Sequence, residues 1–91
     1  MANGNVYDVS KYNWQVRETN DGGVFIRYDD QTIDSTNKGR YNTSSVVKVE
    51  TNGGGQVRFT TQSGSQYYFT ISKCAYPMHL LALTTRFGVE F

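Results

Sequence analysis

Cys74 and His79 stand close together near the C-terminus, and they are the only cysteine and the only histidine of the chain. A thiol beside an imidazole is a nucleophile and its base, provided the two are in hydrogen-bond reach and a third group orients the ring. The flanking Pro77-Met78 and leucines supply no such group. The expectation is therefore a packed, inert cysteine and a partly exposed histidine. Asp29-Asp30 is the one adjacent carboxylate pair. General acid–base chemistry needs two carboxyls in different environments across a cleft, whereas neighbours on a strand point to opposite sides. This pair reads as a strand end entering a turn. One histidine and eight scattered Asp and Glu offer no metal-ligand spacing. Gly53-Gly54-Gly55 lies between two strand patterns, so it lacks the helix N-terminus that lets a glycine loop hold phosphate. The residues predict no enzyme, no metal and no cofactor.

Binding chemistry is better represented. If Trp14, Val16, Val24, Ile26, Val47, Val49, Val57 and Phe59 point inward, then Arg17, Phe25, Arg27, Lys48, Arg58 and Tyr68 point outward. Cations that meet phosphates, interleaved with rings that stack on bases, form the pattern of a nucleic-acid-binding sheet. Lys38 and Arg40, on a polar stretch, extend this basic set. The plainer reading is a solvated outer face whose Lys and Arg deter edge-to-edge aggregation. A second group is rich in hydroxyls: Tyr41, Thr43, Ser44, Ser45, Thr60, Thr61, Ser63 and Ser65. Hydroxyls beside glycine turns suit a small anion or a nucleotide, and they also suit ordinary strands and turns.

The elements that position these residues follow from periodicity. Alternation predicts strands over 12–19 (Tyr12, Trp14 and Val16 on one face) and over 24–28, joined by the turn Asn20-Asp21-Gly22-Gly23. Asp29 to Tyr41 is polar and reads as a long loop, with at most a short irregular strand. Strands are expected over 45–51 with Val47 and Val49 inward, over 56–61 with Val57 and Phe59 inward, and over 66–71 with Tyr67, Phe69 and Ile71 inward. Pro77 opens a short helix to Thr85 whose Met78, Leu80, Leu81 and Leu83 fill one side, and Gly88 ends it. Val89-Glu90-Phe91 alternates like a final short strand. Residues 1–5 read as a flexible start.

The totals agree. The chain has 91 residues, enough for one domain and a modest core. Only 37% of residues are hydrophobic, so seven Tyr, five Phe and one Trp must supply much of the buried volume. The expected fold is a single domain over 1–91, mainly β with a short C-terminal helix. It is an antiparallel meander of about five strands, either a small SH3-like or OB-like barrel or a curled sheet capped by the helix. A net charge of +1 gives no global field to recruit nucleic acid or an acidic membrane. A lone cysteine and a polar start without an apolar run suit a cytoplasmic protein with no signal peptide and no membrane span.

The segments Thr43-Ser44-Ser45-Val46-Val47-Lys48-Val49-Glu50 and Val57-Arg58-Phe59-Thr60-Thr61-Gln62-Ser63-Gly64-Ser65-Gln66-Tyr67 resemble a cadence of short bacteriophage and mobile-element proteins. That resemblance implies an inhibitor of a host defence system, anti-CRISPR-like in kind, working in the host cytoplasm by stoichiometric protein binding. It also admits a protein that sequesters signalling nucleotides, across a homo-oligomer interface for instance. It transfers no functional residue. The expectation is a non-enzymatic binding protein whose partner is a host defence protein. A nucleotide sponge and a nucleic-acid-binding sheet face are the alternatives.

Overall fold

The computed structural model describes residues 4–30 and 39–91. Seven strands occupy the described residues: β1 (Val6–Asp8), β2 (Asn13–Glu18), β3 (Val24–Asp30), β4 (Gly39–Asn42), β5 (Val46–Thr51), β6 (Gln56–Thr61) and β7 (Gln66–Thr70). A 3-10 turn over Ile71–Lys73 leads to the helix α1 (Met78–Phe87).

The strands form two sheets and do not close into a barrel. One sheet is the meander β2-β3-β4; the other has the order β1-β7-β6-β5. The chain thus lays β1 first, departs to build the three-stranded sheet, and returns to build the meander β5-β6-β7. β7 then runs parallel to the waiting β1, with Tyr7 opposite Tyr67. The expected five-stranded meander is therefore corrected in three respects. β1 and β4 are additional strands, the meander is broken between two sheets, and one pairing is parallel. Gly4 and Asn5, expected to be loose, are held: the Gln66 amide donates to the Asn5 carbonyl at 2.8 Å, and Gly4 packs directly on Gly64.

The inner faces of the sheets meet in an aromatic core. Trp14, Ile26, Phe59, Phe69 and Leu83 are fully buried. Trp14 meets Phe59 edge-on at 5.4 Å and lies tilted on Phe69 at 5.3 Å. Its indole N–H donates to the Thr70 carbonyl at 2.8 Å, so the one polar atom of this large ring keeps a partner. Burial of each such side chain stabilises by about 1.5–3 kcal/mol. The first hairpin closes as its residue types require. Gly22 takes a φ of 88°, and Gly23 donates its amide to Thr19 Oγ1 at 2.8 Å.

The inward assignments fail at Val47 on β5 and at Met78 and Leu81 on α1, for different reasons. β5 and β6 change register between Val46 and Lys48. This bulge inserts one extra residue and inverts the alternation. Val46 and Val49 are buried, while Val47 is 56% exposed. On α1, Leu83 is buried and Leu80 and Phe87 pack on the core, but Met78 and Leu81 are each 71% exposed. At 100° per residue, positions 80, 83 and 87 share one side of a helix, and 78 and 81 lie across from it. Gly88 caps the helix in the left-handed region at φ 69°. Residues 89–91, expected as a strand, follow without one; the Glu90 carbonyl accepts from Thr51 Oγ1 at 3.3 Å.

Candidate functional site

The thiol and the imidazole face different partners. Cys74 Sγ donates to the Tyr76 carbonyl at 3.4 Å, and its burial pushes the thiol pKa up. That is opposite to what an activated nucleophile needs. His79 Nδ1 accepts the Val16 amide at 3.3 Å, and the ring lies 5.2 Å from that of Tyr76. Asp29 and Asp30 are consecutive in β3, laddered to Arg40 and Gly39. No group of three or more His, Cys, Asp or Glu gathers among the described residues.

The glycine turn lines a shallow groove of about 510 Å³, together with Gln56, Thr70, Ile71 and Ser72. The Gly54 and Gln56 amides both point to Asn52 Oδ1, at 2.7 and 3.3 Å, so they serve the turn rather than an anion. The hydroxyl-rich group lies elsewhere and is occupied with itself. Thr43 Oγ1 accepts from Ile26 N and donates to the Ser44 carbonyl. Ser63 Oγ bonds Ser44 Oγ and Thr61 Oγ1 at 3.1 and 2.9 Å.

The single basic face expected from alternation is divided. Arg17, Phe25 and Arg27 lie on the outer face of β2-β3, with Arg17 opposite Phe25 and Arg27 opposite Gln15. Lys48, Arg58 and Tyr68 lie on the outer face of β5-β6-β7. Because the inner faces share one core, these outer faces look away from each other. Arg40 takes its place in β4 opposite Asp29; Lys38 lies outside the described residues.

The two faces differ electrostatically. On the larger sheet Arg58 bonds Glu50 through both Nε, at 2.9 Å, and Nη2, and Lys48 sits 3.6 Å from the same carboxylate. The Arg58 hydrogen bond holds the Glu50 carboxyl below its ordinary range. Tyr68 Oη accepts from Arg58 Nη1 at 3.3 Å. Two cations thus share one carboxylate, which leaves one positive charge in excess. On the smaller sheet Arg27 Nε donates to Asn42 Oδ1 at 3.1 Å and Arg17 Nη1 to Gln15 Oε1 at 3.3 Å, so both guanidiniums bond neutral amides and keep their charge.

Two features escaped the sequence reading. Five tyrosines gather where the sheets meet. Tyr28 stacks between Tyr12 and Tyr41 at 5.6 and 5.2 Å, approaches Tyr67 at 6.1 Å, and Tyr7 stacks on Tyr67 at 4.8 Å. Burial, and then the neighbouring tyrosines, push the Tyr28 hydroxyl up to about 12. Half-buried phenols of this kind cover the edge of the core with their rings. The cluster joins residues far apart in sequence, and nothing local announces it.

The second feature is the outward side of α1. Met78, Leu81, Ala82 and Thr85 are all exposed and recur at the i, i+3, i+4, i+7 spacing of one helix stripe. Tyr76, just before the helix, is exposed as well. The ten helical residues include no Asp, Glu or Lys. A helical projection of the sequence would have separated this stripe from the Leu80, Leu83, Phe87 side.

No helix among the described residues is long and apolar enough to cross a membrane. No protein-family model, curated protein or solved structure matches the chain.

Proposed function

We propose that this chain is a non-enzymatic binding protein that acts by lodging the outward face of α1 in a groove of a protein partner. The observation that carries this reading is the exposure of Met78 and Leu81, 71% each, side by side on a helix whose one charged residue, Arg86, lies in the last turn. Exposed apolar patches on small proteins mark interaction sites, and an amphipathic helix in a groove is a recurrent recognition mode with anchors at this spacing. Met adapts its shape to what it meets.

The dimensions favour a groove over a second copy of the chain. Ten helical residues span about 15 Å. Two convex helices of that length touching along one line cover far less than the ~800 Å² per partner of a stable interface. A groove encloses both flanks of the helix and reaches Tyr76 too. The resemblance of the Thr43–Tyr67 cadence to phage accessory proteins makes a host defence protein, met in the host cytoplasm, the first partner class to test.

The test compares the tagged wild-type chain with Met78→Ser/Leu81→Ser in retention from host lysate. The reading expects one protein retained at equal stoichiometry by the wild type. It expects the double variant to retain it about a hundredfold more weakly, as for two anchors each contributing about 1–2 kcal/mol. Equal retention by both chains would refute it.

A further inference from the structure

We infer that the outer face of β2-β3 is a second, independent binding site whose ligand is single-stranded nucleic acid. Arg17 and Arg27 would bind phosphate, and Phe25 is the platform on which a base stacks. The inference uses none of the α1 surface.

Four observations on this face converge. The antiparallel register sets Arg17 directly across from Phe25, and Arg27 follows Phe25 by two residues on the same strand and face. The ring therefore has an arginine position on two sides. Phe25 is only partly covered, although it points away from the core that buries Val24 and Ile26. Both arginines bond amide oxygens, those of Gln15 and Asn42. These amides orient a guanidinium without cancelling its charge, and a phosphate can take the remaining N–H groups. The other sheet carries the contrast: Arg58 and Lys48 share the Glu50 carboxylate, so both cations there already face an acid.

The chemistry selects single strands. A partly exposed ring offers a stacking face only to a base already unstacked. Gln15 and Asn42, which flank Arg27 one step from the ring, supply donors and acceptors for base edges. Asp29 follows Arg27 by two residues on this face and pairs with Asn13, so the positive end lies towards the Asn20–Gly23 turn. Two cations with a near-neutral chain imply weak binding, in the ~10⁻⁴–10⁻⁶ M range of sequence-independent contacts.

The test is fluorescence anisotropy of labelled oligothymidine and oligouridine of about 15 nucleotides, with a duplex of equal length as comparison. For two phosphate contacts at ~0.7 each, affinity for the single strands should fall about sevenfold between about 50 and 200 mM salt. Arg17→Gln/Arg27→Gln, which keeps amide hydrogen bonding on the strand, should lower affinity at least about tenfold and flatten the salt dependence. Phe25→Ala should weaken binding and leave the salt slope unchanged, because stacking carries no charge. Lys48→Ala, on the opposite face, should change nothing. Tighter binding of thymidine or of uridine would say which strand the face prefers, within the same inference. No anisotropy change up to about 100 µM protein at low salt, stronger binding to the duplex, or an equal loss with Lys48→Ala would overturn it. An acidic protein retained through Arg17 and Arg27 in place of the oligonucleotide would overturn it too.

Discussion

The amide of Val16 donates to Nδ1 of His79 across 3.3 Å, so a side chain of α1 takes the place of a neighbouring strand at the edge of β2. The same edge is closed one turn earlier, where Ala75 N donates to the Trp14 carbonyl at 2.7 Å and Trp14 forms a parallel bridge with Cys74. Covering an edge strand removes a template for aggregation, and here the cover also fixes how the helix is presented. His79→Ala should destabilise the fold by about 1 kcal/mol, the usual worth of one such hydrogen bond. It should also raise the hydrogen-exchange rate of the Val16 amide more than that of Ile26. Equal protection of Val16 in the variant would show that the imidazole is not its partner.

The bulge in β5 predicts opposite outcomes for adjacent valines. Val49→Ala should cost about 2 kcal/mol through lost burial and the cavity left behind. Val47→Ala should change stability by no more than about 0.5 kcal/mol. Urea denaturation of both variants checks this. A larger cost at Val47 would mean that the register does not shift where the structure places the shift.

The tyrosine cluster predicts an alkaline loss of stability. An unfolded tyrosine ionises near pH 10, whereas burial and the surrounding phenols raise Tyr28 to about 12. Between those values the unfolded chain has released a proton that the folded chain retains, so stability falls as the pH rises through this window. Tyr28→Phe should lessen the fall, seen as a smaller drop in urea midpoint between about pH 9 and about pH 11. An unchanged drop would contradict the burial of that hydroxyl.

Gly4 lies so close to the β6-β7 turn that a Cβ there would stand 1.9 Å from the Gly64 carbonyl oxygen. Gly4→Ala should therefore push β1 from β7. The Gln66 amide, which donates to Asn5 O, should lose protection, and stability should fall by about 1 kcal/mol. Unchanged exchange at Gln66 would show that β1 is held by its ladder alone.

Much of this fold is legible in the chain. Alternation through Trp14, Val16, Val24, Ile26, Val57, Phe59 and Phe69 marks the strands that carry the core, and Asn-Asp-Gly-Gly, Ser-Gly and Pro-to-Gly punctuation marks their ends. What escaped depends on distant partners. The three residues of β1 are exposed and exist as a strand because β7 is there to pair with. Gly39-Arg40-Tyr41-Asn42 has no apolar alternation and is held by register with β3. Val46-Val47 is apolar in either phase, so the bulge is invisible locally. The basic and aromatic residues alternate as if on one sheet, and only the long-range pairing divides them between two. On the helix, by contrast, the 3.6-residue period already separates Met78 and Leu81 from Leu80 and Leu83.

The most direct test of the account is the affinity of the captured protein partner for the wild-type chain and for Met78→Ser/Leu81→Ser, after their thermal midpoints have been shown to agree. Both side chains are exposed, so the midpoints should be nearly equal. The account predicts affinity lower by about a hundredfold in the double variant, chiefly through faster dissociation. Equal affinity at equal stability would contradict it, because the helix face would then be surface and not the site of action.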